Sequence, residues 1–155
     1  MAIAISSDPE FYIVIGDAVS NAISDVLDKI FQELRKAVER DIYDAYSSKG
    51  EGTYERTNEL IDSWEVHARG LFGDLEFQPD MLSSDPLGFH HNSPYGWDVR
   101  NEILDILEGG YRAYNAKTGK PIPRRPMWDE FIAKVDSKFH SWMIKALRAN
   151  GLDVI

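Results

Sequence analysis

Between Asp17 and Lys49 the chain carries the pattern that most narrows its fold. Val19, Ile23, Val26, Ile30, Leu34, Ala37, Asp41 and Ala45 recur by threes and fours, and Leu27, Phe31, Val38 and Ile42 widen the stripe. Only Asp41 interrupts the apolar row, with Ile42 beside it. The other side holds Asp25, Asp28, Lys29, Glu33, Arg35, Lys36, Glu39 and Arg40. This periodicity predicts an amphipathic helix. Asp17 is placed to cap its start, and Gly50 and Gly52 follow an end expected near Tyr46 to Lys49. A helix of about 30 residues spans about 45 Å, more than a compact domain of this length needs. Either part of the stripe faces another molecule, or the helix is kinked or broken within a monomer.

Elements on either side are shorter. Residues 11–15, FYIVI, form a β-rich run closed by Gly16 and read as a strand at a sheet edge. Thr53 or Thr57 can cap a short helix through Ile61. Trp64, Val66 and Ala68 then alternate with Glu65, His67 and Arg69, the period-two pattern of a half-buried strand. With a turn at Gly70 to Gly73 and resumed alternation at Leu75 and Phe77, a hairpin is predicted from about Ser63 to Gln78. Residues 79–96 read as a long loop of the kind that makes functional or partner contacts. A second helix, capped by Asp98, carries Val99, Ile103, Ile106 and Leu107 and stops at Gly109-Gly110. Pro126 opens a third, with Asp129 and Glu130 at its positive end and Lys145 and Arg148 at its negative end. Trp128, Ile132, Val135, Phe139, Trp142, Met143 and Leu147 form its apolar face, and Gly151 ends it.

At 155 residues the chain has room for one domain with a core, taken here as residues 1–155. It contains no Cys, which removes disulfides and thiolate zinc sites from consideration and accords with folding in a reducing cytoplasm. The first residues, MAIAISSDPE, lack the basic and apolar regions of a signal peptide, and no run of about 18 apolar residues suggests a membrane span. The net charge of −9 disfavours general nucleic-acid binding. That charge is uneven. From Gly109 to Pro126 there is no Asp or Glu, while Arg112, Lys117, Lys120, Arg124 and Arg125 bring the segment to +5. It reads either as a solvated loop or as a basic loop that docks on an acidic surface, most simply another copy of the chain.

Tests for chemistry find little. His90 and His91 adjoin Asp85, Asn92 and Asp98, but adjacent histidines on an extended loop diverge and no third ligand stands at a recognised metal spacing. Carboxylate pairs such as Glu76 with Asp80, or Asp129 with Glu130, sit where strands end and helices begin, so they say little about acid–base work. No nucleophile elbow, Walker A loop or dinucleotide fingerprint occurs. No catalytic residue, cofactor or metal is expected. Tyr95, Trp97, Tyr111 and Tyr114 bracket the second helix with aromatics suited to a core or an interface.

The joint Tyr54-x-Arg56-Thr57-x-x-Leu60-x-x-Ser63, between the long helix and the hairpin, resembles that of tail-completion and head–tail joining proteins of long-tailed bacteriophages. In that family it usually reads Thr-Gly-x-Leu followed by Ser; Thr57, Leu60 and Ser63 match, and Asn58 replaces the Gly. Asn also tolerates a left-handed backbone. The family's Arg-Pro-aromatic entry to the last helix is matched by Arg125 and Pro126, with the aromatic one place later at Trp128. The likeness covers the order of elements over roughly residues 11–151, apart from the loop at 79–96. It implies an α+β fold, with a long N-terminal helix and two further helices packed on a small antiparallel β-sheet containing a hairpin. It also implies a virion structural protein, made in the host cytoplasm and working as a ring of identical copies at the neck or upper tail.

Partners implied by the resemblance are other copies of the chain and neighbouring connector, tail-tube or portal-associated proteins. Arg112, Lys117, Lys120, Arg124 and Arg125 are the candidate partner-binding residues, and a variant turns this loop to a lumen for loose contact with DNA. Two other classes compete. One is a small acidic adaptor or inhibitor that binds a basic partner. The other is a small hydrolase using the 79–96 loop, with His90 or His91 as base.

Overall fold

The computed structural model describes residues 9–44, 58–82, 100–109, 111–114, 121–122 and 127–154. The architecture is mixed α+β, as expected: a long N-terminal helix, further helices and antiparallel β-pairing. Helix α1 runs Pro9–Ala37 and continues as a π-helical turn over Val38–Tyr43. The short α2, Glu59–Asp62, leads into β1, Trp64–Arg69, and β2, Phe72–Phe77. Helix α3, Ile103–Gly109, is entered through a 3-10 turn at Arg100–Glu102. Strands β3, Tyr111–Tyr114, and β4, Pro121–Ile122, precede the last helix α4, Trp128–Ala149.

The strand predicted at residues 11–15 is instead part of α1. A short apolar run does not distinguish strand from buried helix by itself, and tertiary partners decide. Here Val14 leads at intervals of four to Ala18, Ala22 and Val26, and Ala22 and Val26 pack with Ala146 of α4. Asp17 therefore lies exposed within the helix rather than capping it. The π turn answers the break at Asp41. One wider turn brings both Ile42 and Tyr43 into the core beside Val38, while Arg40 holds the Asp41 carboxylate outside it. The end predicted at Tyr46 to Lys49 and the caps Thr53, Thr57 and Asp98 lie outside the described residues.

Strands β1 and β2 form the expected hairpin, pairing Trp64 with Phe77, Val66 with Leu75 and Arg69 with Phe72. The turn is tighter than predicted: only Gly70 and Leu71 are unpaired, and Gly73 belongs to β2. Positive φ at Gly70 but not at Leu71 matches a type II′ turn, whose twist suits antiparallel strands. Gly73 lies against α1 so closely that a Cβ there would fall 2.3 Å from Leu27 Cδ1 and 3.1 Å from Ile23 Cγ2. The segment 109–126 is not simply a loop, because β3 and β4 pair antiparallel within it. The β-structure is thus two separate two-stranded units. Of the predicted loop at 79–96, Pro79–Met81 forms a 3-10 turn, and the part beyond Leu82 lies outside the described residues.

Two apolar clusters position these elements. The larger joins Leu34, Val38, Ile42 and Tyr43 to Leu60, Ile61 and Met127, with Trp64, Leu75, Phe77, Ile103, Leu104, Leu107 and Trp128 around them. Each side chain fully buried there contributes about 1.5–3 kcal/mol relative to exposure. Trp64 stacks at a tilt on Phe77 at 5.2 Å and meets Trp128 edge-on at 5.8 Å. The smaller cluster, Ala22, Val26 and Ala146 with Trp142 and Met143, holds α4 antiparallel along α1. No helix among the described residues is long and apolar enough to cross a membrane.

Candidate interaction surface

Asn58 stands just before α2 with φ 60°, in the left-handed region, and its carbonyl accepts from Ile61 N at 2.9 Å and Asp62 N at 3.0 Å. Leu60 is buried in the larger cluster. Ser63 is fully buried; its hydroxyl donates to the Glu59 carbonyl at 2.6 Å, and its own carbonyl accepts from Gln78 N at 2.7 Å. One serine thus closes α2 and holds the far strand of the hairpin. Trp128 opens α4 half-buried, edge-on to both Trp64 and Phe131. Thr57 and Pro126 lie outside the described residues.

Polar contacts join α1 and α4 along their length. Asn150 Nδ2 donates to Asp25 Oδ2 at 2.9 Å, Lys134 Nζ pairs with Glu33, and Arg40 Nη2 meets Glu130 Oε2 at 2.8 Å. Glu33 is the buried member, and Lys36 also donates to it at 3.1 Å. Its carboxyl is held below the usual glutamate value, chiefly by the hydrogen bond from Lys134, against the opposing effect of burial. Arg40 is pushed the other way by Asp41. An open groove of about 560 Å³ between the helices is lined by both signs of charge, including Asp25, Asp28, Lys29, Lys36 and Lys138, with Trp142 at its side. No group of three or more acidic or histidine side chains among the described residues could hold a metal. His90 and His91 lie outside those residues.

The two ends of the molecule differ in character. Helix α4 ends at Ala149, beside Ala22 and Asp25, so the turns of α1 before Ala18 run beyond it. There Ile13 and Val14 are 63% and 65% exposed. The closed end of the β1–β2 hairpin lies toward the same half of α1, since Gly73 touches Ile23 and Leu27, and it exposes Leu71 at 62% and Phe72 at 80%. No Lys, Arg or His occurs from Met1 to Asp28, and Asp17, Asp25 and Asp28 are exposed.

The basic segment departs from the other end. It leaves α3 at Gly109 and returns at Met127, whose backbone N–H donates to Glu108 Oε2 at 3.2 Å. Both flanks belong to the cluster around Leu34, Val38 and Tyr43. Val14 and Val38 are roughly 36 Å apart at 1.5 Å per helical residue. Arg112 lies in β3, while Lys117, Lys120, Arg124 and Arg125 fall outside the described residues. The exposed pair Leu71-Phe72 was absent from the sequence-derived candidates. Its signal was two large apolar residues enclosed between Gly70 and Gly73, where a turn was already expected.

No protein-family model matches the chain, and no curated protein or solved structure shows significant similarity to it.

Proposed function

We propose that this chain is a structural protein of a tailed bacteriophage particle, acting in the head–tail connector, neck or tail-completion ring through protein–protein contacts. The resemblance at Thr57, Leu60, Ser63, Arg125 and Pro126 supports that class. The observation that carries the assembly reading is polarity: an acidic, partly apolar end of α1 stands opposite the anchor of a +5 segment. A patch that complements a different patch on the same molecule associates head to tail, and such contacts close into rings when the rotation permits. Opposite charges also guide encounter and fix orientation.

Light scattering on the purified chain tests this reading against the quadruple variant Lys117→Glu, Lys120→Glu, Arg124→Glu and Arg125→Glu. The expected outcome is a multimer for the native chain and a folded monomer for the variant, with unchanged circular dichroism. Raising salt from 0.1 to about 1 M shrinks the Debye length from about 10 to 3 Å and should weaken the native assembly. Equal masses for the two proteins overturn the proposal. A one-to-one complex with an unrelated basic protein, without self-association, would instead favour the adaptor reading.

A further inference from the structure

We propose that the groove between α1 and α4 receives the tip of the β1–β2 hairpin, Leu71 and Phe72, from a second copy of this chain. The inference rests on the self-assembly reading above and names a pair of mating surfaces separate from the basic segment.

Both surfaces follow from how the hairpin sits on α1. Strand alternation turns Trp64, Leu75 and Phe77 toward the larger cluster and Gly73 toward Ile23 and Leu27. Arg69, Phe72 and Asp74 therefore share the other face, with Arg69 opposite Phe72 and Asp74 two places beyond it. All three are exposed, as is Leu71 in the turn. The tip thus presents a large aromatic ring between a cation and an acid.

The groove has the matching character. It is an open space of about 560 Å³, with Trp142 on the α4 side and Lys138 Nζ 5.7 Å from the centre of that ring. Along the α1 side the charges are sorted, Asp25 and Asp28 coming before Lys29 and Lys36. Asp28 and Lys36 are about 12 Å apart along the helix. Arg69 and Asp74 are diagonal neighbours across the hairpin, roughly 8 Å apart. Extended arginine and lysine side chains cover the difference. An incoming tip sets Phe72 against Trp142, Arg69 toward Asp28, and Asp74 toward Lys36. An aromatic anchor within a ring of matched charges has the centre and rim of a specific protein contact.

A molecule cannot fill its own groove. Gly73 pins the hairpin to the side of α1 that carries Ile23 and Leu27. At about 100° per residue, Asp25, Lys29 and Lys36 project about 160–180° away from Leu27, on the opposite side of the helix. Tip and groove are thus different patches facing opposite ways from one helix. A second copy must supply the tip, and the contact repeats head to tail.

The lack of cysteine permits a direct test. Phe72→Cys and Gln32→Cys proteins, the latter changed at an exposed position lining the groove, are prepared separately, mixed and treated with a short bis-maleimide. The expected result is a covalent dimer in the mixture. It should be absent from either protein alone and from Phe72→Cys mixed with Ser137→Cys, an exposed α4 position outside the groove. Phe72→Asp should weaken self-association more than about tenfold, the loss typical of an aromatic anchor, with unchanged circular dichroism. Arg69→Asp should also weaken it, and adding Asp28→Arg to that variant should restore it. Multimers as stable with Phe72→Asp as with the native chain, or no 32–72 cross-link, overturn this inference and leave the assembly reading standing. Dimers from Phe72→Cys alone overturn it in favour of a tip-to-tip contact. A chain that stays monomeric throughout removes both.

Discussion

Adding one methyl group at Gly73 tests how the hairpin is seated on the long helix. An alanine Cβ at this position would lie 2.3 Å from Leu27 Cδ1 and 3.1 Å from both Leu27 Cγ and Ile23 Cγ2. Ordinary contact begins near 3.4 Å, so the closest pair is more than an ångström too near. Leu27 is buried, and swinging its methyl aside gives up packing that it now has. Overpacking of this kind costs about 1–3 kcal/mol. Replacing Gly also restricts the unfolded chain, which returns about 0.4–1 kcal/mol. Gly73→Ala should therefore destabilise by about 1–2 kcal/mol, lowering Tm by about 2–8 °C for a chain of this size. Urea titration followed by circular dichroism reads the change, and a cycle with Leu27→Ala isolates its cause. Leu27→Ala alone should cost about 2–5 kcal/mol, but in its background Gly73→Ala should be neutral or slightly stabilising. A Gly73→Ala protein as stable as the native one, or an equal cost in both backgrounds, would refute the close approach.

Substitutions at two further positions probe charge and backbone. The Glu33 carboxyl has a folded pKa below its ordinary value of 4.5, so its stabilising contribution is complete above that pH and is lost as pH falls toward the folded value. Glu33→Gln should cost about 1 kcal/mol or less at pH 7, because Lys36 and Lys134 can return to water, and should flatten the decline in urea midpoint below pH 4.5; an unchanged acid limb would refute this linkage. At Asn58, with φ 60°, Gly should be tolerated within about 1 kcal/mol, whereas β-branched Val should cost about 1–3 kcal/mol. Equal thermal midpoints for Asn58→Gly and Asn58→Val would count against the left-handed joint.

Local pattern made much of the architecture readable. The stripe from Val19 to Ile42 needs only the 3.6-residue period to identify a helix, and alternation from Trp64 to Ala68 needs only the two-residue period to identify a strand. Gly151, just past α4 with φ 86°, likewise follows the chemistry of helix ends. The reading of FYIVI as a strand went astray because β-branched residues fit either element until a partner is supplied. At Gly73, a turn residue and a close-packing residue look identical in one dimension.

For the candidate surface, composition alone determined that five cations are concentrated between Gly109 and Pro126 and that none occurs before Lys29. Tertiary structure decided that the flanks of the basic segment pack near Val38 while Leu71 and Phe72 stand exposed toward the opposite half of α1. It also decided that Asp41 turns outward while Ile42 and Tyr43 enter the core. Side-chain periodicity and charge are properties of neighbours along the chain, whereas exposure and distance between patches depend on which remote segments cover one another.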